Sequence, residues 1–290
     1  NGSNDGTGRV YMLDAMTGAL KYTFSAAGGL ATGDPGLAQI SGLIESDGTV
    51  AYAYGGDELG NLWKFDLNKL TVTRIAQLKD ASNAPQPVTT APALTRVNGN
   101  VVVLVGTGQL LGLTDMGSTQ SQSFYAIKDS GPELTNARSS LAARTFSAEI
   151  SGRRNLQGTA MDWSTGRGWY FDLPAGQQSN TNPLLVFGSV AFSVNQLSAS
   201  TCSGASYFYV ADITTGLNAA GLDYGSLVLR SDATVSAANW TISSTGIMRG
   251  LMQDSTGGWQ QPPLPPPPSP PPPPPPGASP RKSAWREVRH

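Results

Sequence analysis

One short pattern recurs along this chain: an aromatic or apolar strand that ends in aspartate and is followed by a turn. The aspartates of its five copies lie 52, 63, 43 and 40 residues apart. The copies are Tyr11–Asp14, Trp63–Asp66, Tyr125–Asp129, Trp169–Asp172 and Tyr209–Asp212. A period of roughly 40 to 60 residues built from strand–turn units is typical of β-propeller blades. The spacing therefore predicts an all-β propeller with one unit in each blade.

The chemistry of each unit is local. The aspartate carboxylate can accept backbone N–H groups of the turn that follows, and a glycine such as Gly18 or Gly216 takes the positive φ that the turn requires. One segment, Asn136–Ile150, has helical spacing of apolar residues and predicts a short surface helix or loop. Further strands are predicted at Val50–Tyr54, Val101–Val105, Leu184–Val194 and Leu227–Leu229.

The composition excludes several classes of function. A net charge of −1 supplies no basic surface for nucleic acid, and no apolar run is long enough to span a membrane. The single histidine, His290, is the last residue, so a catalytic triad or a histidine-rich zinc site is excluded, and we predict no catalytic residues. Cys202 stands alone, so no disulfide can form within the chain.

From residue 257 onwards the composition changes abruptly. Between Pro262 and Pro276 only Leu264 and Ser269 interrupt a run of prolines. Proline lacks an N–H group and fixes φ, so the run predicts a polyproline II tail that joins no sheet. The predicted division is a propeller at residues 1–256 and a disordered proline-rich tail at residues 257–290. The tail is interpreted as a stiff spacer, with a ligand for an aromatic groove as the alternative.

Three long stretches, with a short C-terminal one, resemble the PilY/PilC family of type IV pilus proteins. The stretches are Tyr54–Leu67, Val105–Leu113 continuing through Thr119–Ile127, Asp162–Pro174, and the closing Ser283–Glu287. The resemblance implies part of a seven-bladed, quinoprotein-like propeller from a secreted protein. Because the chain begins Asn1-Gly2-Ser3 and the family domain is longer, we expect a fragment that lacks the N-terminal blades.

The resemblance also implies a function and a location. Proteins of this family support pilus assembly, oppose retraction, and contribute to adhesion and twitching motility. The implied partners are minor pilins, the pilus tip, and host or abiotic surfaces. The implied location is the outer surface or the pilus tip, reached through the periplasm.

Calcium is the one ligand that the resemblance implies. Family members often carry an aspartate-rich loop before the strand that corresponds here to Tyr54–Asp57. In this chain, Leu43 and Ala51 stand at two positions that are usually aspartate, which leaves the carboxylates of Glu45 and Asp47. Two carboxylates make a poor cage for a cation that takes 6–8 oxygen ligands. The sequence favours a plain Ser-Asp-Gly hairpin turn, with Glu45 and Asp47 as candidate ligands of a weak Ca²⁺ site.

Two other functions stay open at this point. A quinoprotein dehydrogenase would also use strand–Asp–turn units, although several such enzymes need a vicinal disulfide that Cys202 cannot form alone. A propeller that binds surface carbohydrate or matrix, with no link to pili, is the second alternative.

Overall fold

A computed structural model describes residues 7–26, 36–159, 161–198, 204–242 and 247–267. These residues form β-strands joined by turns, with two three-residue 3-10 helices at Leu113–Asp115 and Ala137–Ser139. In chain order the strands are β1 (Gly8–Leu13), β2 (Leu20–Ala26), β3 (Ile40–Ile44), β4 (Val50–Gly56), β5 (Asn61–Asp66), β6 (Thr71–Gln77), β7 (Ala93–Val97), β8 (Asn100–Gly106), β9 (Ser123–Lys128), β10 (Ala142–Phe146), β11 (Arg153–Arg154), β12 (Leu156–Gln157), β13 (Gly168–Asp172), β14 (Leu184–Val186), β15 (Ser189–Leu197), β16 (Gly204–Asp212), β17 (Ser226–Arg230), β18 (Asn239–Ile242), β19 (Met248–Gln253) and β20 (Trp259–Gln260). The predicted all-β fold is confirmed.

The described strands form five successive sheets. Sheet 1 is β1-β2, sheet 2 is β3-β4-β5-β6, and sheet 5 is β18-β19-β20. Sheet 3 has the order β12-β10-β13-β9-β8-β7, and sheet 4 has the order β11-β17-β16-β15-β14. Most neighbours are antiparallel and consecutive, as in propeller blades, while β10 lies parallel to β13. The prediction of one strand–Asp–turn unit in each blade is wrong for sheet 3, because β9 and β13, the strands of the Asp129 and Asp172 units, pair with each other.

Four hydrophobic clusters lie between successive sheets. The cluster between sheets 2 and 3 takes Val103 and Tyr125, whereas the cluster between sheets 3 and 4 takes Leu104 and Phe124. Adjacent residues of one strand thus enter different cores, because successive side chains point to opposite faces of a sheet. Both faces of sheet 3 are buried, and this explains why β8 and β9 are buried almost along their whole length.

The turn chemistry predicted for the five aspartates is confirmed at three of them. Asp14 Oδ1 accepts the N–H groups of Met16 and Thr17, and Asp66 Oδ1 accepts two N–H groups of its own turn in the same way. Asp212 Oδ1 accepts one backbone N–H, that of Thr215, together with the hydroxyls of Thr214 and Thr215. At the other two the prediction is wrong. Asp129 accepts from Tyr54 and Lys64 of sheet 2, and Asp172 pairs with Arg138. These two carboxylates join distant parts of the chain.

The helix considered for Asn136–Ile150 is wrong over most of its length. A 3-10 turn covers Ala137–Ser139, and β10 follows at Ala142–Phe146. The four apolar residues that gave this segment its helical spacing, Ala137, Leu141, Ala142 and Phe146, do not share a face. Ala137 and Leu141 pack between sheets 2 and 3, while Ala142 and Phe146 pack between sheets 3 and 4. Parallel pairing with β13 draws β10 into the sheet and overrides the helical spacing.

A second aspartate turn, which the sequence analysis missed, recurs at three places. In each, the carboxylate Oδ1 accepts the N–H groups of the second and fourth following residues, and the third has a positive φ. The aspartates are Asp57, Asp80 and Asp254, and the residues with positive φ are Gly60 (73°), Asn83 (71°) and Gly257 (89°). The spacing Asp-x-x-Gly or Asp-x-x-Asn was the available signal. All three aspartates are buried. The two backbone N–H groups that each carboxylate accepts hold its turn in place.

Sheet 5 continues past the predicted boundary at residue 256. Strand β20 pairs with β19, Gly250 N–H donates to the carbonyl of Pro262 at 2.8 Å, and Leu264 is buried. Proline cannot donate a backbone hydrogen bond, but its carbonyl still accepts one, so the start of the proline-rich run can line a sheet edge. The rest of the predicted tail, residues 268–290, lies outside the described residues, as does Cys202; His290 and Ser283–Glu287 belong to that part of the tail.

We expect a chain truncated after Thr256 to unfold more easily than the full chain. It loses β20 and the burial of Leu264, and burying one leucine contributes about 2 kcal/mol. Urea unfolding followed by tryptophan fluorescence measures the difference. The matched control is truncation after Pro267, which should leave the unfolding midpoint unchanged. Equal midpoints for the two truncated chains would contradict this packing.

We also expect Asp57→Asn to destabilise the fold more than Asp80→Asn. Asp57 Oδ2 accepts from the Trp63 indole N–H at 2.8 Å and from Asn61 Nδ2 at 2.9 Å. An indole N–H can only donate, so an asparagine NH₂ at this position leaves two donors facing each other. The expected loss is about 1–3 kcal/mol in the free energy of unfolding.

Asp80 is the matched control because its Oδ2 accepts only from the side-chain amide of Gln120, at 3.3 Å, and that amide can rotate. Chemical denaturation of both variants at neutral pH gives the comparison. A larger loss for Asp80→Asn would show that Trp63 does not depend on the Asp57 carboxylate.

Candidate functional site

The two predicted calcium ligands, Glu45 and Asp47, lie in the hairpin turn that joins β3 to β4. The backbone closes this turn: Glu45 N–H donates to the Thr49 carbonyl at 2.8 Å, and Gly48 N–H donates to the Glu45 carbonyl at 2.9 Å. Gly48 has a φ of +83°, in the left-handed region that favours glycine. The turn therefore forms from its own backbone.

Asp47 stabilises the turn from within. Its Oδ1 accepts the backbone N–H of Thr49 at 2.9 Å and the Thr49 hydroxyl at 2.7 Å. These two bonds, the backbone one first, lower the pKa of the Asp47 carboxyl from its ordinary value. The carboxylate is held in the role that aspartate takes in an ordinary hydrogen-bonded turn.

Glu45 is held by a different partner. Its Oε1 lies 2.7 Å from Nη2 of Arg96 on β7, and Nη1 of the same arginine donates to the Gly99 carbonyl at 3.1 Å. The ion pair joins the β3–β4 turn of sheet 2 to sheet 3. Arg96 thus supplies a fixed positive charge next to Glu45.

These contacts do not fit a calcium cage. One oxygen of each carboxylate already accepts hydrogen bonds, the Leu43 side chain is buried in the core, and Ala51 supplies no side-chain oxygen. Across the described residues, histidine, cysteine, aspartate and glutamate nowhere form a group of three or more that could hold a metal ion. The structure brings Glu45 and Asp47 to one turn but gives each its own protein partner.

A polar groove between sheets 2 and 3, which the sequence analysis did not predict, brings charged residues together. The groove has a volume of about 410 Å³. Its cations are Lys64, Lys69, Arg74 and Arg167, and its carboxylates are Asp66, Asp129 and Glu133. No signal in the sequence pointed to this groove, because Asp66 and Asp129 were both predicted only to cap their own turns.

Asp129 is the centre of one wall of the polar groove. Its Oδ2 lies 2.6 Å from the Lys64 ammonium and accepts the Tyr54 hydroxyl at 2.7 Å. The same ammonium lies 4.1 Å from the centroid of the Tyr52 ring, a cation–π contact. Burial, with the neighbouring Asp129 carboxylate, raises the pKa of Tyr54, so its hydroxyl stays a donor.

Comparison with known sequences relates this chain to type IV pilus biogenesis factors. The chain is 30% identical, over 76% of its length, to a type IV pilus biogenesis factor PilY1 homologue from Xylella fastidiosa. It is 27% identical, over 56% of its length, to PilY1 from Pseudomonas aeruginosa. The resemblance to the PilY/PilC family is confirmed. The chain spans 18% of the length of each of these relatives.

The solved structure of the Pseudomonas aeruginosa PilY1 C-terminal domain has the same fold. The TM-score is 0.71 at 19% sequence identity, over 90% of this chain and 67% of that domain. The predicted propeller fold is therefore confirmed at the level of architecture. No family model matches the sequence.

Calcium binding stays a prediction, and we expect it to be weak. In isothermal titration calorimetry, the purified chain should show no binding tighter than the millimolar range of extracellular calcium modules. Arg96→Ala removes the cation that pairs with Glu45, so it tests whether this ion pair keeps Glu45 from binding calcium. Asp47→Ala, which removes the other candidate carboxylate, is its control. Micromolar binding by the unmodified chain, abolished in Asp47→Ala, would contradict this expectation.

Proposed function

We propose that this chain is the propeller part of a non-enzymatic type IV pilus biogenesis factor. The observation that carries the proposal is the 30% identity over 76% of the chain to a protein of that name. The shared fold with the PilY1 C-terminal domain supports it. The names of these relatives favour the pilus role over a dehydrogenase and over a general carbohydrate-binding propeller.

The finer role follows from the family. The chain would act at the outer surface or the pilus tip, after export through the periplasm. There it would contact minor pilins, support assembly against retraction, and contribute to adhesion and twitching motility. None of the helices in the described residues has the length and hydrophobicity of a membrane-spanning segment.

Deleting the propeller from the full protein should reduce surface pili and twitching. A strain that lacks the gene would be complemented with the intact gene or with a form that lacks residues 7–267. Pilin sheared from the cell surface and the diameter of twitching zones are the two measurements. Met16→Ser is the matched control, because its side chain is 93% exposed and its loss should change neither.

Inactivating the retraction motor in the same strains distinguishes a role in opposing retraction from a role in pilus assembly. If the chain opposes retraction, surface pili return in the deletion strain once retraction stops. If it is needed for assembly itself, they do not return. An immunoblot must show that the shortened protein accumulates. Normal pili and normal twitching in the deletion strain would overturn the proposed function.

A further inference from the structure

The polar groove between sheets 2 and 3 combines a strand edge with uncompensated positive charge. One wall is the outer part of sheet 2, where Thr71 and Thr73 of β6 line the groove. The opposite wall is the chain after β9, residues 129–133, together with Arg167. The established similarity to pilus factors assigns no role to this groove.

Strand β6 is the last strand of sheet 2, and only one end of its outer edge is paired. There, Gln77 N–H donates to the Leu134 carbonyl at 2.8 Å, and Leu134 N–H donates to the Ile75 carbonyl at 3.0 Å. This is a short parallel bridge, so the edge already accepts an extended segment. Within the described part of the chain, the stretch from Thr71 to Arg74 has backbone pairing on its β5 side alone.

An unpaired strand edge is a template for another extended chain. Thr71 and Thr73 are both exposed, so neither side chain covers the edge. Because side chains alternate along a strand, a segment added here would turn every second side chain toward the groove. The backbone would supply affinity, and the groove would select those side chains.

The groove selects for negative charge because two of its carboxylates are already neutralised. Asp129 is paired with Lys64 at 2.6 Å, and Glu133 is paired with Arg74 at 2.7 Å. The third, Asp66, accepts two N–H groups of its own turn.

Two cations of the groove remain. Lys69 has a side chain that is 77% exposed, and its Nζ lies as far as 3.9 Å from Asp66. Arg167 donates from Nη2 to the Pro132 carbonyl at 3.1 Å, and its buried Nε has no hydrogen-bond partner among the described residues. Because the buried Nε is closed to an incoming ligand, the contact would come from the terminal nitrogens of this half-buried guanidinium, which can bind a carboxylate.

We propose that this groove binds an extended acidic segment of a partner protein. The segment would add to β6 at Thr71–Arg74, beyond the bridge made by Leu134, and place a carboxylate between Lys69 and Arg167. This proposal stands apart from the pilus role, since it depends only on the strand edge and the charges. It predicts affinity that falls with ionic strength, because both cations lie near the surface.

A synthetic peptide tests the proposal with the full 290-residue chain. The probe is a fluorescein-labelled nonapeptide of alternating threonine and glutamate, titrated by fluorescence polarisation. One matched peptide replaces glutamate with glutamine and removes the charge. A second keeps glutamate but carries N-methyl groups on its central amides, which removes backbone pairing. We expect the acidic peptide to bind at least about tenfold more tightly than either control.

Protein variants locate the site. Lys69→Gln should weaken binding by about two- to fivefold, as expected for an exposed ion pair. Arg167→Gln should weaken binding more than Lys69→Gln does. A thermal melt checks that the Arg167→Gln variant stays folded. Arg153→Gln removes an exposed arginine of sheet 4 and should leave binding unchanged.

Several results would overturn the proposal. Equal binding of the glutamine peptide would exclude charge selection, and equal binding of the N-methylated peptide would exclude strand addition. Displacement of the peptide by millimolar sodium sulfate, but not by sodium chloride of equal ionic strength, would indicate a pocket for small anions. Absence of binding up to millimolar peptide would also refute it.

Discussion

The structure depends on the burial of both faces of its central sheets. Sheet 3 packs against sheet 2 on one side and sheet 4 on the other, so its inner strands β8 and β9 are buried on both faces. The contact with sheet 4 is a stack of aromatic rings, in which Phe124 and Phe192 have centroids 4.1 Å apart. Phe171 and Tyr209 extend this stack. Such pairs contribute beyond the apolar area that they bury.

Burial on this scale forces polar groups to find partners inside the protein. Tyr125 donates its hydroxyl to Gln86, and Tyr209 donates to Gln177, each at 2.5 Å. The two pairs repeat the same arrangement in sheets 3 and 4: each glutamine lies in the segment that leads into an edge strand of its sheet, β7 or β14. At the ends of strands, the buried carboxylates of Asp57, Asp80 and Asp254 likewise provide acceptors for the N–H groups of their turns. Desolvation raises the pKa of Asp57, and its four donors oppose this effect.

Ion pairs between sheets have a different role from these buried bonds. Glu45 with Arg96, and Asp129 with Lys64, each join sheet 2 to sheet 3. The Glu45–Arg96 pair is partly exposed and adds little stability, whereas the Asp129–Lys64 pair is largely shielded from solvent. At Glu45 the cation of Arg96 lies beside a carboxylate that the sequence named only as a candidate ligand of a weak calcium site. At Asp129 the pair neutralises a carboxylate of the polar groove, whose four cations outnumber its three carboxylates by one.

The sequence by itself determined the all-β architecture, the positions of the main strands and the resemblance to the PilY/PilC family. Those features are local: alternating apolar residues, an aspartate and a turn lie within a few positions of one another, so a single stretch of sequence contains them. The tertiary structure decided the partners of Asp129 and Asp172, the strand at Ala142–Phe146 and the pairing of Pro262. Each of these joins residues that are distant in sequence; Lys64 and Asp129, for example, are 65 positions apart. Local propensity carries no information about such contacts, because only the packed sheets bring them together.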